Sequence, residues 1–387
     1  MLPALSPDEQ RHSEALAALI RTELAAAGGW LSFERFMELA LYAPGLGYYS
    51  AGSWKLGSGG DFVTAPEVSE LFGRCVAQQC AEVLRTMGGG EILELGPGTG
   101  SLAASILRAL DAEGILPQRY ALLEVSGDLA ARQRARLDAL PAHLRAPLVW
   151  LERLPPAPLT GVILANEVAD ALPVRRFTVR GGAVHELGVA LSSRGTLEDG
   201  LRAPDAALTE ACAAMFGAPP RSLPDGYTSE VNLVLAPWIA SLAASLDRGV
   251  MLLFDYGLPR AHYYHQQRVA GTLRCHFRQR AHDDPFVNLG VQDITAWVDF
   301  TRLAEGASSA GLEVSGFATQ AAVLLALGLE RLVAAAPDAR SRARLAGEAR
   351  RLIMPEEMGE AFKAMALTRG YPAPLTGFSL QDLRRQL

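Results

Sequence analysis

Three stretches of this sequence gather side chains able to do chemistry. The first is Glu94-Leu-Gly96-Pro97-Gly98-Thr-Gly100. Alternating glycines leave no Cβ between backbone and ligand, and Ser101–Leu110 continues with helical periodicity, so the turn opens a helix. A phosphate-binding P-loop is excluded, because no Gly-Lys-Ser/Thr follows the glycines. The dinucleotide fingerprint needs its third glycine three residues after the second, whereas these alternate. Glu94 narrows the choice. A carboxylate just before the turn repels a pyrophosphate but suits a ligand with an ammonium and a sulfonium, as in S-adenosyl-L-methionine.

The second stretch is Glu124-Val125-Ser, where an acid at the C-terminal end of a strand can accept both hydroxyls of a ribose. The third is Asn166-Glu167-Val-Ala-Asp170. Methyl transfer from a sulfonium is an in-line displacement that needs alignment and desolvation of the nucleophile. If that nucleophile is a guanidinium nitrogen, carboxylates orient the planar group and stabilise its charge as a proton departs. Asn166, Glu167 and Asp170 are therefore the candidate catalytic residues. Structural alternatives exist for both sites. The turn can be a plain strand–turn–helix with solvated acids, and Asp170 can cap the next turn while Glu167 pairs with Arg175 or Arg176.

These residues need elements to hold them. The pattern predicts strand 91–95, helix 101–110, strand 120–126, helix 127–139, strand 147–151 and strand 161–166. That alternation is the signature of an α/β fold with a mostly parallel, doubly wound sheet. Ligands in such sheets lie outside the carboxyl ends of the strands, where Glu94–Gly100, Glu124, Leu151-Glu152, Asn166-Glu167 and Asp255-Tyr256 stand. Upstream, helices are expected over 8–27 and from the cap Ser32 through Leu41. A glycine-rich loop with aromatics follows, then an amphipathic helix over Glu67–Arg85. Downstream, Arg175–Val179 and Val184–Leu191 flank Arg180-Gly-Gly-Ala183 as a β-hairpin. Residues 192–227 resist assignment. A helix near 233–246, a fifth core strand Gly249–Gly257, a helix 298–311 and a strand 312–319 come next. Helical residues 321–352 and a last strand Ala361–Arg369 close the pattern.

The chain has 387 residues, 49% of them hydrophobic, enough for a large core. A net charge of −6 argues against nucleic acid as a partner. Four cysteines without Cys-x-x-Cys spacing read as reduced, buried thiols. No apolar run reaches membrane-span length, and no hydrophobic signal core is visible, so a cytoplasmic protein without membrane insertion is expected. His262-Tyr-Tyr-His265 has helical ligand spacing, but no third ligand is placed to complete a metal site, and no metal is expected.

Beyond single motifs, the chain resembles the MidA-like class I S-adenosyl-L-methionine-dependent methyltransferases, which include the mitochondrial complex I assembly factor that methylates a protein arginine. The resemblance is carried by Gly60-Asp-Phe-Val-Thr-Ala-Pro-Glu67, Glu94-Leu-Gly-Pro-Gly98, Glu124-Val-Ser and Ala165-Asn-Glu-Val-Ala-Asp-Ala-Leu-Pro173. Phe254-Asp-Tyr-Gly257, His282-Asp-Asp-Pro285, Asp293–Phe300 and Met358–Lys363 follow in the family's order. It implies a Rossmann-like, seven-stranded methyltransferase sheet with an N-terminal helical section and insertions forming a substrate cleft. The implied division is 1–90 (helical section and cofactor-covering loop), 91–171 (first core half), 172–248 (insertion with hairpin), 249–257 (core strand), 258–297 (second insertion) and 298–387 (second core half). Gly60, Asp61, Phe62 and Thr64 would lie over the cofactor. Glu94, Gly96, Pro97, Gly98, Gly100, Glu124, Val125, Leu151 and Asn166 would contact it, with S-adenosylhomocysteine as product. A protein substrate is implied, an arginine of a respiratory complex I subunit or its homologue, in the bacterial cytosol or, in a eukaryote, the mitochondrial matrix. Thr99 and Val168-Ala169 depart from the family, which often carries arginine at the first position and bulkier residues at the second. Rival readings are methylation of a small molecule or nucleic-acid base, an assembly factor that binds the cofactor without turnover, and a nicotinamide oxidoreductase.

Overall fold

The computed structural model describes residues 2–51, 64–218 and 223–387. Its centre is a sheet of seven strands: β1 (Glu91–Leu95), β2 (Arg119–Leu123), β3 (Leu148–Leu151), β4 (Leu159–Asn166), β5 (Leu246–Leu258), β6 (Glu313–Thr319) and β7 (Phe362–Arg369). Their order is β3-β2-β1-β4-β5-β7-β6. Strands β1 to β5 pair in parallel, and β7 runs antiparallel to both neighbours. A short strand, Val298–Asp299, adds in parallel to the end of β5. This is the seven-stranded, Rossmann-like sheet that the family resemblance implies, with the mostly parallel core that the strand–helix alternation predicts.

The apolar runs are continuous because both faces are covered. Ile92 enters one core, with the helices Glu70–Met87 and Ser101–Ala112, while Leu93 and Leu95 enter the other, with Leu235–Ala244 and Phe300–Ser309. Full burial of each such side chain contributes roughly 1.5–3 kcal/mol. At the opposite end of the sheet from the site, Gly161 and Gly249 bring backbones together. A Cβ on Gly161 would lie 2.1 Å from the Glu91 carbonyl oxygen, and one on Gly249 2.0 Å from that of Gly161.

A second sheet of five strands stands beside the core. The predicted hairpin forms, as Arg175–Arg180 and Ala183–Leu191, with Gly181 and Gly182 both at positive φ in its two-residue turn. Trp30–Ser32, from the N-terminal section, pairs antiparallel with Gly188–Ala190. Within the stretch that resisted assignment lie the strand Leu197–Arg202 and the helix Ala206–Phe216, capped by Asp205. Residues 258–297 supply three short strands, of which Cys275 and Ile294 share a core with Leu16 and Phe36 of the N-terminal helices.

One expected helix is divided. Glu67–Arg85 is two helices, Ala65–Val68 and Glu70–Met87, separated by extended Ser69. The Ser69 hydroxyl accepts the Leu71 N–H, so the serine starts a new helix instead of continuing the old one. All four cysteines are free and buried. Among the described residues, no helix is long and apolar enough to cross a membrane.

Candidate active site

A cavity of about 400 Å³ opens at the carboxyl ends of β1, β2 and β4. Its wall includes Glu94, the turn Gly96–Thr99, Glu124, Val125, Asn166 and Glu167. Thr64, Pro66 and Glu67 join from the short helix, and Tyr42 and Tyr49 from the N-terminal section. Leu154, Val168, Trp238 and Leu242 make an apolar side.

Gly96 and Gly98 both take φ 55°, a conformation that side chains with Cβ rarely adopt, and Gly100 caps the next helix at φ 82°. The carboxylate of Glu94 is buried and accepts the Tyr120 hydroxyl at 2.6 Å. Burial nonetheless pushes its pKa up to about 7. A cationic ligand would restore its charge. Glu124 lies one residue beyond β2. Its oxygens accept the Ser126 N–H (2.8 Å) and the Gln133 amide (3.0 Å), which also donates to the Gly98 carbonyl (2.9 Å). One glutamine thus ties the second acid to the glycine turn. Val125 is 74% exposed on the cavity wall, an apolar surface open to a ring.

Not every expected contact lies on this wall. Leu151 is set back, its carbonyl accepting the Glu124 N–H (2.9 Å), and Leu154 lines the cavity in its neighbourhood. Gly100 and Asp170 also stand off the wall. Gly60, Asp61 and Phe62 lie outside the described residues.

Past the end of β4 the chain makes a strained turn. Glu167 holds φ 54°, a rare value for a residue other than glycine. Its Oε1 accepts the Asn166 side-chain amide (3.1 Å) and the Ala65 N–H (3.3 Å), while the buried Asn166 Oδ1 has no partner among the described residues. Burial, then the nearby charge of Asp255, raises the Glu167 pKa to about 8. Asp255 holds the turn in place. Its Oδ2 accepts the N–H groups of Val168 (3.2 Å), Ala169 (2.8 Å) and Asp170 (3.3 Å), and its Oδ1 that of Tyr256 (2.9 Å). Burial still lifts Asp255 to about 7, against the lowering effect of these bonds.

Asp170 is buried, and its pKa rises far above the carboxylate range through burial first, then the charges of Asp255, Asp293 and Glu167. Asp293 accepts the Tyr49 hydroxyl (3.0 Å), and Tyr49 stacks on Tyr42 with ring centroids 5.6 Å apart. Arg175 and Arg176 are engaged elsewhere, with Glu186 and Asp205 and with Asp199. Glu167 therefore lacks the arginine partner of the structural alternative. Among the described residues, no lysine, arginine or histidine forms an ion pair with Glu167, Asp170 or Asp255. Buried acids without a cation hold protons when the site is empty and accept a cationic group when it is filled.

Sequence reasoning found Glu167 and Asp170 but gave no role to Asp255, Asp293, Tyr42 or Tyr49. For Asp293 a signal was present: a lone acid among Val291, Ile294, Ala296 and Val298. Tyr42 and Tyr49 reach the site only through tertiary contacts.

Comparison with known proteins agrees with this geometry. The model of a family of S-adenosyl-L-methionine-dependent methyltransferases matches residues 75–318. A crystal structure from Burkholderia thailandensis, bound to S-adenosyl-homocysteine, is 41% identical with a TM-score of 0.95, and each chain is covered in full. The mitochondrial protein arginine methyltransferase NDUFAF7 homologue of Drosophila melanogaster is 30% identical over 97% of this chain and 91% of its own. The Danio rerio NDUFAF7 protein is 28% identical over 87% of this chain and 83% of its own.

Proposed function

The chain belongs to the MidA-like family of S-adenosyl-L-methionine-dependent methyltransferases, and from that we propose that it methylates arginine in a protein substrate. The cofactor fits the residues present. Gly96 and Gly98 leave the backbone open, and there the buried acid Glu94 would hold an ammonium, Glu124 would offer a carboxylate to a ribose, and exposed Val125 would lie against a base. Thr64, Pro97 and Asn166 would complete the contacts, and Asn166 Oδ1, without a partner among the described residues, would supply an acceptor. When bound, the cofactor supplies an electrophilic methyl on its sulfonium.

The chain's own residues supply the rest. Glu167 accepts the N–H groups of the guanidinium and aligns one nitrogen for in-line attack. Glu167, on the cavity wall, takes up the one proton that the attacking nitrogen loses as its bond to the methyl forms and passes it to solvent, so the methylated guanidinium keeps a single positive charge, which Asp170, behind the wall, helps to stabilise. Leu154, Val168 and Trp238 exclude water, which strengthens these charges. The observation that carries this reading is the group of half-buried Glu167 with buried Asp170 and Asp255, which stands beside the cofactor turn and has no cation partner among the described residues. Division into an N-terminal section over 1–90, core halves and insertions at 172–248 and 258–297 belongs to the same reading. So does placement in a bacterial cytosol, supported by the 41% identity to a bacterial protein against 30% to a mitochondrial one.

The test is incubation of the purified protein with methyl-labelled cofactor and arginine-bearing peptides, a respiratory complex I subunit among them, read by mass spectrometry. Label on an arginine nitrogen is expected. Label on another side chain, or micromolar cofactor binding without transfer, would replace arginine methylation with another acceptor or with an assembly role.

A further inference from the structure

One short element touches both halves of the site. Ala65–Val68 is a single helical turn in which the N–H groups of Glu67 and Val68 donate to the Thr64 carbonyl (2.9 and 3.0 Å). At one end, Glu67 Oε1 accepts the hydroxyls of Thr99, in the glycine turn, and of Ser101 (2.5 Å), the first residue of the following helix. The Arg136 guanidinium stands 3.7 Å from the same oxygen and also donates to Ser101. Two residues earlier, the Ala65 N–H donates to Glu167. Beyond the turn, the Ser69 hydroxyl donates to Glu348 (2.6 Å). Nothing in the methylation mechanism above uses Glu67.

We propose that Glu67 is a positioning residue: by gripping Thr99 and Ser101 it fixes the turn that aims the Ala65 N–H at Glu167, and so joins the cofactor turn to the acid that orients the acceptor. This rests on the reading of the protein as an arginine methyltransferase. At 3.3 Å the Ala65 bond is near the long end of the useful range, so a displacement of a few tenths of an ångström breaks it. Ala65 is fully buried and stands on the same turn as Glu67, so a shift at one end carries to the other. An N–H donor favours the charged carboxylate, and losing it moves Glu167 further toward its protonated form. The protonated acid aligns the attacking nitrogen poorly and cannot take up its proton, a loss that falls on kcat. Thr99 matters here because its short hydroxyl side chain lets Glu67 approach the turn, while Arg136, on the neighbouring helix, brings the positive charge.

The experiment is a pH titration of the Glu167 carboxyl by carbon-13 NMR in the full-length, ligand-free protein, assigned with Glu167→Gln. It is paired with pH–rate profiles on an arginine peptide. In Glu67→Ala the Glu167 midpoint is expected to rise by roughly half a pH unit or more. The acidic limb of kcat should move the same way, with kcat down at least fivefold and KM for the peptide within threefold. Glu67→Gln, which keeps an acceptor oxygen, should recover most of both. Should Glu67→Ala fail to fold, the double variant Thr99→Ala, Ser101→Ala removes the same grip from the other side. A midpoint unmoved in the variant that folds overturns the proposal. If the wild-type protein leaves arginine unmethylated, the proposed activity falls, while the NMR titration still decides the role of Glu67.

Discussion

Glu167 spends conformational energy to be where it is. A non-glycine residue at φ 54° costs on the order of 1 kcal/mol or more, and its carboxyl is held protonated near neutrality by burial. Neither serves the fold. Glu167→Gln keeps the shape and the hydrogen-bond acceptor but loses the charge, so methyl transfer should fall at least about a hundredfold, with S-adenosyl-homocysteine binding by calorimetry unchanged. A rate within threefold of wild type would remove Glu167 from the acceptor site. Asp255 is expected to behave in the opposite way. Four backbone N–H groups depend on its two oxygens. Asp255→Ala should therefore cost about 3 kcal/mol in urea unfolding, the scale of several buried donors left unmet. Asp255→Asn, which retains one acceptor oxygen, should cost clearly less. Two acids within one group are thus separable: one loses turnover, the other loses the fold.

Among the elements, the glycine turn between β1 and Ser101–Ala112 gives the sharpest prediction. Gly98→Val adds a side chain at φ 55° on the wall of the cavity, so cofactor affinity by calorimetry should drop by more than about a hundredfold, with a stability cost of about 1–2 kcal/mol. Full affinity in this variant would mean that the ligand does not lie against the turn. This turn was legible because its glycines and acid sit within seven residues, and local chemistry is what a sequence displays directly. The strands were legible for a related reason: a parallel sheet covered on both faces demands unbroken apolar runs such as Val162–Ala165. The helix read as Glu67–Arg85 was misjudged because its apolar spacing runs on while the cap at Ser69 divides it. Leu197–Arg202 escaped notice because it is an edge strand of mixed polarity, LEDGLR, paired on one side. The stacked tyrosines escaped for lack of any local signal, since Tyr42 and Tyr49 meet Ala171 and Asp293 across long stretches of chain.

For the whole molecule, the buried acids make stability depend on pH in an unusual direction. Glu94, Glu167 and Asp255 are raised to about 7, 8 and 7, and Asp170 is raised as well, whereas all four titrate near 4 when unfolded. Between about pH 4 and 8 the native state therefore binds more protons than the unfolded state, and stability falls as pH rises through that window. The melting temperature of the ligand-free protein should drop from pH 6 to pH 8, and Glu167→Gln should flatten the slope. A melting temperature that climbs over that interval would show the acids to be ionised and paired.

The pairing of Trp30–Ser32 with Gly188–Ala190 carries its own consequence for synthesis. On the ribosome, the strand at Trp30 emerges roughly 150 residues before its partner, an interval of about eight to thirty seconds at ordinary elongation rates. Throughout that interval the apolar faces of the first two helices, including Leu16, Ile20, Phe33 and Phe36, have no partner from the second sheet. The nascent N-terminal section is then prone to aggregate until the hairpin arrives to take its place beside it.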